Sequence, residues 1–402
     1  MLALVGPVEP LDVVLHDAAG CVLAADVVAP GDVPGVAVAD CDGYALVAAG
    51  DPGRRRGRHS ATTTSSTLPV VADVSPGPDE SPRLVAGQCV RVGSGAPLPP
   101  GADAVVPAEE TDRGLVEVVI PREVTAGQHV RPAGHHVAAG TVVLPAGTRL
   151  GARQLGVAAA AGCSRLTVHP SPRVVVVAVG DELVEPGTHA APGQVHESNR
   201  YALVAAVRDA GATGVQVPIV GDDRAALRES IEDQLVRADV MVITAGLSEA
   251  SHDTVKDVLP LLGDVRIDRV AMAPGGRFGL GMLHGTGRHV PVLALPGDPV
   301  AALVVFEVLV RPALRTMAGQ GEIYRSSVAA RVSAGWSSPA GLRQFVPATV
   351  VGDPETGYAA TVLGDPDRPA LADVARADVL VVVPEADQDV VADRLLQCLV
   401  LG

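Results

Sequence analysis

The sequence predicts a multidomain protein of the α/β and β class, with a central three-layer α/β domain and β-rich flanking domains. Three observations carry this expectation. Between residues 170 and 318, β-branched runs alternate with amphipathic helical segments, the pattern of right-handed βαβ crossovers. On either side the chain breaks into short apolar runs punctuated by Gly and Pro, as short strands and turns do. A length of 402 residues also exceeds what one ordinary core accommodates.

Taken in order, Met1 to Ala37 consists of short apolar runs between Pro and Gly. In residues 38–130, LVAGQCVRVG, ADAVVPAEET and GLVEVVIP read as strands. RRRGRHSATTTSSTL and VSPGPDESPR read as solvated loops, and the arginine run is not taken for a nucleic-acid patch. GTVVLPAGTRL reads as strand–turn–strand, and ARQLGVAAAAG as a short helix closed by Gly162. PRVVVVAVGDE has the continuous apolar character of a strand buried on both faces of a parallel sheet. The alternation then runs through NRYALVAAVRDAGA (helix), VQVPIVGDD (strand), RAALRESIEDQLVRA (helix) and DVMVITAG (strand). It ends with HDTVKDVLPLLG (helix), VPVLALPGDP (strand) and the helix VAALVVFEVLVRPALRTMAG. From Gln320 onward SSVAARVSA, QFVPATVV, AATVLG and DVLVVVPE read as strands of a small β domain.

Composition removes several function classes. With 48% apolar and 19% charged residues the chain is globular. A net charge of −15 argues against nucleic acid as a partner, and 2% aromatics leaves few platforms for stacking bases. Cys21, Cys41, Cys89, Cys163 and Cys398 are scattered and odd in number, so no disulfide framework or structural zinc site is expected. No apolar run approaches the ~20 residues that span a bilayer, and MLALVGPVEPLDVVL lacks the features of a signal peptide. The expectation is a cytoplasmic protein with no membrane contact. The phosphate-loop, dinucleotide, nucleophile-elbow and zinc-helix motifs are all missing, and His135-His136 reads as a surface pair.

In an open parallel sheet, ligands bind at the carboxyl ends of the strands. Four loops qualify: Gly180-Asp181-Glu182, Gly221-Asp222-Asp223, Ala245-Gly246-Leu247-Ser248 and Pro296-Gly297-Asp298-Pro299. Each alone is also readable as a plain βα turn with a capping Asp or Ser. Together they gather glycines for close backbone approach and the carboxylates Glu182, Asp222, Asp223 and Asp253. Carboxylates at a phosphate site fit a bridging Mg²⁺, or acceptors for the N–H groups of a heterocycle.

Several stretches resemble, in order and at matching spacing, the molybdopterin molybdenumtransferase family (the MoeA and gephyrin E-domain group). They are VLAADVVAPGDVPGVAVADCDGYAL, VRVGSGAPLPPGADAVVPAEET, VVVVAVGDELVEPG with ESNRYAL, and LALPGDPVAAL. The resemblance implies an elongated first domain (1–37 plus 131–169), a β-rich second domain (38–130), a molybdopterin-binding α/β domain similar to MoaB and MogA (170–318) and a C-terminal β domain (319–402). It implies a homodimer whose cleft is shared between subunits, with other cofactor-assembly proteins as candidate partners. The implied activity is insertion of molybdate into adenylated molybdopterin with Mg²⁺. In register with the family's site are Asp42, Ser94, Glu182, Asp222 and Asp253 as catalytic candidates, the last three also as metal ligands. Gly180, Asp181, Asn199, Gly246, Ser248, Lys256, Pro296 and Gly297 are the cofactor-binding candidates.

The departures concentrate at the oxyanion loop. A family Lys-Pro-Gly-Lys-Pro segment matches Ala273-Pro274-Gly275-Gly276-Arg277 here, so both lysines are lost; a Ser becomes Ala301 and an Asn becomes Asp298. The family's Gly-Glu-Asp turn becomes Gly134-His135-His136, and of its last-domain arginine pair only Arg343 is loosely matched. Two readings follow. Either Arg269 and Arg277 supply the missing cations to a working transferase, or the chain is a paralogue that binds pterin, or acts as a scaffold, without efficient metal insertion. The arginines could equally be surface residues paired with neighbours such as Asp268.

Overall fold

The computed structural model describes residues 1–48, 65–78, 81–247, 253–285 and 287–402. The expected loop RRRGRHSATTTSSTL falls mostly outside them, as do Asp79 and Glu80 of VSPGPDESPR; the end of the first, from Ser66, opens the strand Ser66–Val74.

Near the N-terminus, Leu11–Val14 and Val22–Leu23 flank Arg165–His169 in one antiparallel sheet, and Val27–Val28 pairs with Val142–Leu144. Helix Ala152–Ala160 packs here and stops at Gly162, whose φ of 83° is the left-handed conformation that ends helices. After Val142–Leu144, the second half of the expected strand–turn–strand is only an isolated bridge, Val22 to Arg149. A separate five-stranded sheet holds Ala104–Pro107, Gly43–Leu46, Cys89–Val92, Ser66–Val74 and Glu117–Ile120 in that order.

The central sheet positions the site, and its elements are labelled here in chain order. They are β1 (Arg173–Ala178), α1 (Asn199–Asp209), β2 (Thr213–Gln216), α2 (Arg224–Leu235) and β3 (Val240–Ala245), followed by α3 (Thr254–Leu262), β4 (Gly263–Arg269), β5 (Arg277–Gly285) and β6 (Arg288–Pro296). A last helical stretch comprises α4 (Pro299–Val305) and α5 (Arg311–Met317). The spatial order is β2-β1-β3-β6-β5-β4; the first four are parallel, and β5 and β4 are antiparallel additions. Val175, Val177, Met241 and Ile243 pack against α2 and α3, while Val174, Val176, Val240 and Val242 face α1 and the α4–α5 stretch. Strands buried on both faces explain the unbroken apolar runs, each large side chain stabilising by roughly 1.5–3 kcal/mol.

Three sequence expectations change. VQVPIVGDD is only partly strand: β2 starts at Thr213 and takes in Val215 and Gln216, and beyond Pro218, which has no N–H for the ladder, only a Val179–Val220 bridge follows. The β4–β5 hairpin was not anticipated. The final helix contains a wide turn, Phe306–Val310, just before Pro312, whose missing N–H removes a regular helical bond.

The C-terminal strands Arg343–Asp353, Gly357–Val362, Ser327–Val332, Leu395–Val400 and Val379–Val383 close on themselves, since the last also pairs with the first. Leu395–Val400 was not read from the sequence. Met272–Ala273, between β4 and β5, adds in parallel to Arg343–Gln344 and so ties the loop of residues 273–277 to this barrel.

Candidate functional site

β1 connects outward to β2 on one side, and the chain then crosses to β3 on the other. The crevice outside β1 and β3 is therefore the topological switch point where ligands bind. The loop after β1 and the loop before α2 are pinned reciprocally: Asp181 Oδ1 accepts from the Asp222 amide at 3.0 Å, and Asp222 Oδ2 accepts from the Asp181 amide at 3.3 Å. The Thr254 hydroxyl donates to the Asp222 carbonyl oxygen at 3.1 Å, fixing the start of α3 to the same loop. Glu182 folds back over Gly180, where a Cβ would lie 2.4 Å from Glu182 Oε2. A cavity of about 130 Å³ results, lined by Gly180, Glu182, Asp222, Gly246, Asp253 and Thr254. Thr254 went unnoticed in the sequence; its place directly after a helix-capping Asp was the available signal.

Asp253 is the buried member. Its Oδ1 accepts from the Lys256 amide at 3.2 Å and caps α3, whereas Oδ2 is buried with no hydrogen-bond donor. The Lys256 ammonium stands 3.5 Å from that oxygen, an ion pair rather than a good hydrogen bond. Glu182, Asp222 and Asp253 thus line one cavity. Among the described residues no three His, Cys, Asp or Glu side chains are placed to hold a metal ion. Asp222 is engaged with Asp181, and Asp253 Oδ1 with its helix.

Lys256 also lines a second cavity of about 330 Å³, with Pro260, Ile267, Asp268, Arg269 and Arg277. Arg269 and Arg277 are cross-strand partners in the β4–β5 ladder and line the same cavity although they are separated in sequence. Arg277 also donates to the Leu247 carbonyl oxygen at 3.3 Å. An adjoining cavity of about 560 Å³ runs from Arg269 and Arg277 along Met272 and Gly276 to Leu342 of the barrel. Asp298 turns away from any anion role: its Oδ1 accepts from the Ala301 amide at 2.8 Å as the cap of α4. Arg343 pairs with Glu385, Nε to Oε2 at 3.0 Å.

Asn199 Nδ2 donates to the Gly297 carbonyl oxygen at 2.8 Å, joining the start of α1 to the Pro296-Gly297 turn. Gly297 lies against Ala245 and Gly246, where a Cβ would meet backbone at 3.2 Å. Asp42 and Ser94 stand together elsewhere, in the five-stranded-sheet region, with Asp42 Oδ1 accepting from the Ser94 amide at 2.7 Å. No hydrogen bond or ion pair among the described residues joins them to the central loops. Burial, together with Glu109, Asp40 and Asp42, pushes the nearby Cys41 thiol up. Ser248 lies outside the described residues.

A carboxylate cavity beside a basic one, in the switch-point crevice of an open α/β sheet, is the place where proteins of this fold class bind ligands. Residues 1–162 match the MoeA N-terminal region (domain I and II), 175–316 the probable molybdopterin binding domain, and 329–394 the MoeA C-terminal region (domain IV). Molybdopterin molybdenumtransferase 1 of Mycobacterium tuberculosis is 40% identical over 395 residues, covering 95% of this chain and 92% of that one. Molybdopterin molybdenumtransferase 2 of the same organism is 39% identical over 396 residues, covering 97% and 94%. The crystal structure of a molybdopterin biosynthesis MoeA protein from Pyrococcus horikoshii superposes with a TM-score of 0.79 at 28% identity, covering 99% of this chain and 95% of that one. The chain belongs to the molybdopterin molybdenumtransferase family, the transferases of molybdenum cofactor biosynthesis. Likeness over nearly the full length favours the transferase over a scaffolding paralogue.

Proposed function

We propose that this chain inserts molybdate into adenylated molybdopterin, with Arg269, Arg277 and Lys256 holding the oxyanion and Glu182, Asp222 and Asp253 serving a Mg²⁺-bound ligand. The observation that carries the reading is the adjacency of the two cavities across the first turn of α3, joined by the Asp253–Lys256 pair at 3.5 Å. Guanidinium forks give tetrahedral oxyanions two parallel N–H donors, so two opposed arginines are a chemical substitute for two lysines.

Mg²⁺ fits the acidic cavity on one internal observation. The buried Asp253 Oδ2 has no donor, and the lining offers only hard oxygen ligands, the kind this ion takes. When bound, the ion would neutralise phosphate charge on the nucleotide. The chain's own residues do the rest: Gly180, Asp181, Gly246, Pro296 and Gly297 supply backbone at the crevice, and Asn199 holds the Gly297 turn. Asp42 and Ser94 complete the cleft from a second copy of the chain. Five unpaired cysteines fit a reducing cytoplasm.

Molybdate binding in the presence of molybdopterin tests the reading directly. Arg277→Ala should weaken molybdate by about tenfold or more, roughly 1.4 kcal/mol, and leave pterin affinity unchanged. Wild-type protein that binds no molybdate at millimolar concentration with pterin present would overturn it.

A further inference from the structure

α1 and the α4–α5 stretch both begin at the carboxyl edge of the sheet, at Asn199 and Asp298, and so both end at the amino edge. There a cavity of about 180 Å³ is lined by Arg311, Arg315, Glu322, Tyr324, Arg325 and Ser326, with Val400 and Gly402 closing the wall on the Arg325 side. It lies at the opposite edge from the Asp253 and Arg277 cavities, and the function proposed above makes no use of it.

Its arginines are unequally matched. Arg311, only 2% exposed, donates from Nε to Glu307 Oε2 at 2.7 Å and pairs with Asp209. Arg325 donates to the same Glu307 oxygen at 2.8 Å and to Asp209 at 2.8 Å. Two guanidiniums and two carboxylates close that network. Arg315 is left over: its Nε donates at 2.6 Å to the Glu322 main-chain carbonyl, and among the described residues it has no ion-pair partner. Burial, then the charges of Arg311 and Arg149, make its protonated form less favourable than usual, and the Glu322 carboxylate offsets only part of this. A half-buried guanidinium with positive neighbours and open space beside it is electrostatically incomplete.

We infer that this cavity is a second oxyanion site, in which Arg315, with the Ser326 and Tyr324 hydroxyls, receives a phosphate-type group. The guanidinium of Arg315 supplies the unspent charge, and two hydroxyls can donate to the remaining oxygens. Tyr324 is 66% exposed in a chain with only four Tyr, three Phe and one Trp. Its ring at the rim of the cavity offers a surface for a planar group attached to the phosphate.

Full-length Arg277→Ala protein, in which the oxyanion site at the carboxyl edge is weakened, should be titrated calorimetrically with inorganic phosphate and with AMP. Phosphate should bind, and Arg315→Ala added to that background should weaken it about tenfold or more. Arg315→Lys, which keeps the charge but loses the fork, should give an intermediate loss. AMP tighter than phosphate, with the gain removed by Tyr324→Ala, assigns the group to a nucleotide; AMP no tighter assigns it to free oxyanion. Should circular dichroism show Arg315→Ala unfolded, Ser326→Asp keeps the arginine and sets a carboxylate in the cavity, and must abolish binding. Phosphate that fails to bind at millimolar concentration, or that binds equally to the Arg315→Ala or Ser326→Asp protein, overturns the inference.

Discussion

The two oxygens of Asp253 have different surroundings, and this allows its charge to be tested apart from its structural part. Oδ1 caps α3, a task that Asn performs about as well as Asp. Oδ2 is buried without a hydrogen-bond donor and faces Lys256 at 3.5 Å. Asp253→Asn should therefore leave the melting temperature nearly unchanged and weaken Mg²⁺-dependent nucleotide binding by about tenfold or more, the effect of removing one charged ligand. Nucleotide affinity measured with and without Mg²⁺ checks this; equal affinity in the two proteins would reduce Asp253 to a helix cap. At this scale the sequence was informative about identity and poor about surroundings. Asp253 could be read as a residue before a helix, since capping is local. Its burial against Glu182 and Asp222 depends on how three loops stack, which no local pattern encodes. Arg269 and Arg277 were legible as the nearest cations to the lost lysines, yet their direct opposition follows only from a ladder the sequence did not reveal.

That ladder shows why elements differ in legibility. β1, β3 and β6 are buried on both faces and read as unbroken apolar runs, whereas β4 and β5 carry alternating charge and glycine. The glycines are there for contact: a Cβ on Gly281 would lie 2.1 Å from the Asp264 carbonyl oxygen. Gly281→Ala should cost about 1–3 kcal/mol in a urea melt by overpacking, and by displacing the hairpin it should also weaken molybdate binding. Three of the four parallel strands are tied at their amino ends by a single residue. Asp239, just before β3, pairs with Arg173 of β1 and with Arg288 of β6. Burial raises its carboxyl pKa, but the hydrogen bonds from Arg173 and Arg288 outweigh burial and hold it below the ordinary value. A depressed folded pKa gives stability that is full above the unfolded value of about 3.9 and lost as pH falls through the folded one. Asp239→Asn should lose about 1–2 kcal/mol at neutral pH and show a flatter decline of stability on acidification below about pH 4. An identical acid limb in both proteins would mean that the clamp stores no such energy.

On the scale of the whole molecule, the candidate residues among those described fall into two groups that no hydrogen bond or ion pair joins within one chain. Glu182, Asp222, Asp253, Lys256, Arg269 and Arg277 gather at the carboxyl edge of the central sheet, while Asp42 and Ser94 meet near the five-stranded sheet. A two-fold dimer in which each cleft takes both groups, one from each copy, would unite them twice. Sedimentation should then give twice the 40.8 kDa chain mass at micromolar concentration. A sharper test uses two damaged chains. Asp42→Ala and Asp253→Asn homodimers should both be nearly inactive, since every cleft lacks one group. In their hybrid, one cleft combines an intact central domain from the first chain with an intact Asp42 from the second, and the other cleft carries both lesions. Equal mixing with subunit exchange makes about half the dimers hybrid, so turnover should recover to roughly a quarter of wild type. If both groups serve a cleft within one chain, every cleft in the hybrid stays damaged and nothing recovers, and recovery on mixing decides between the two arrangements.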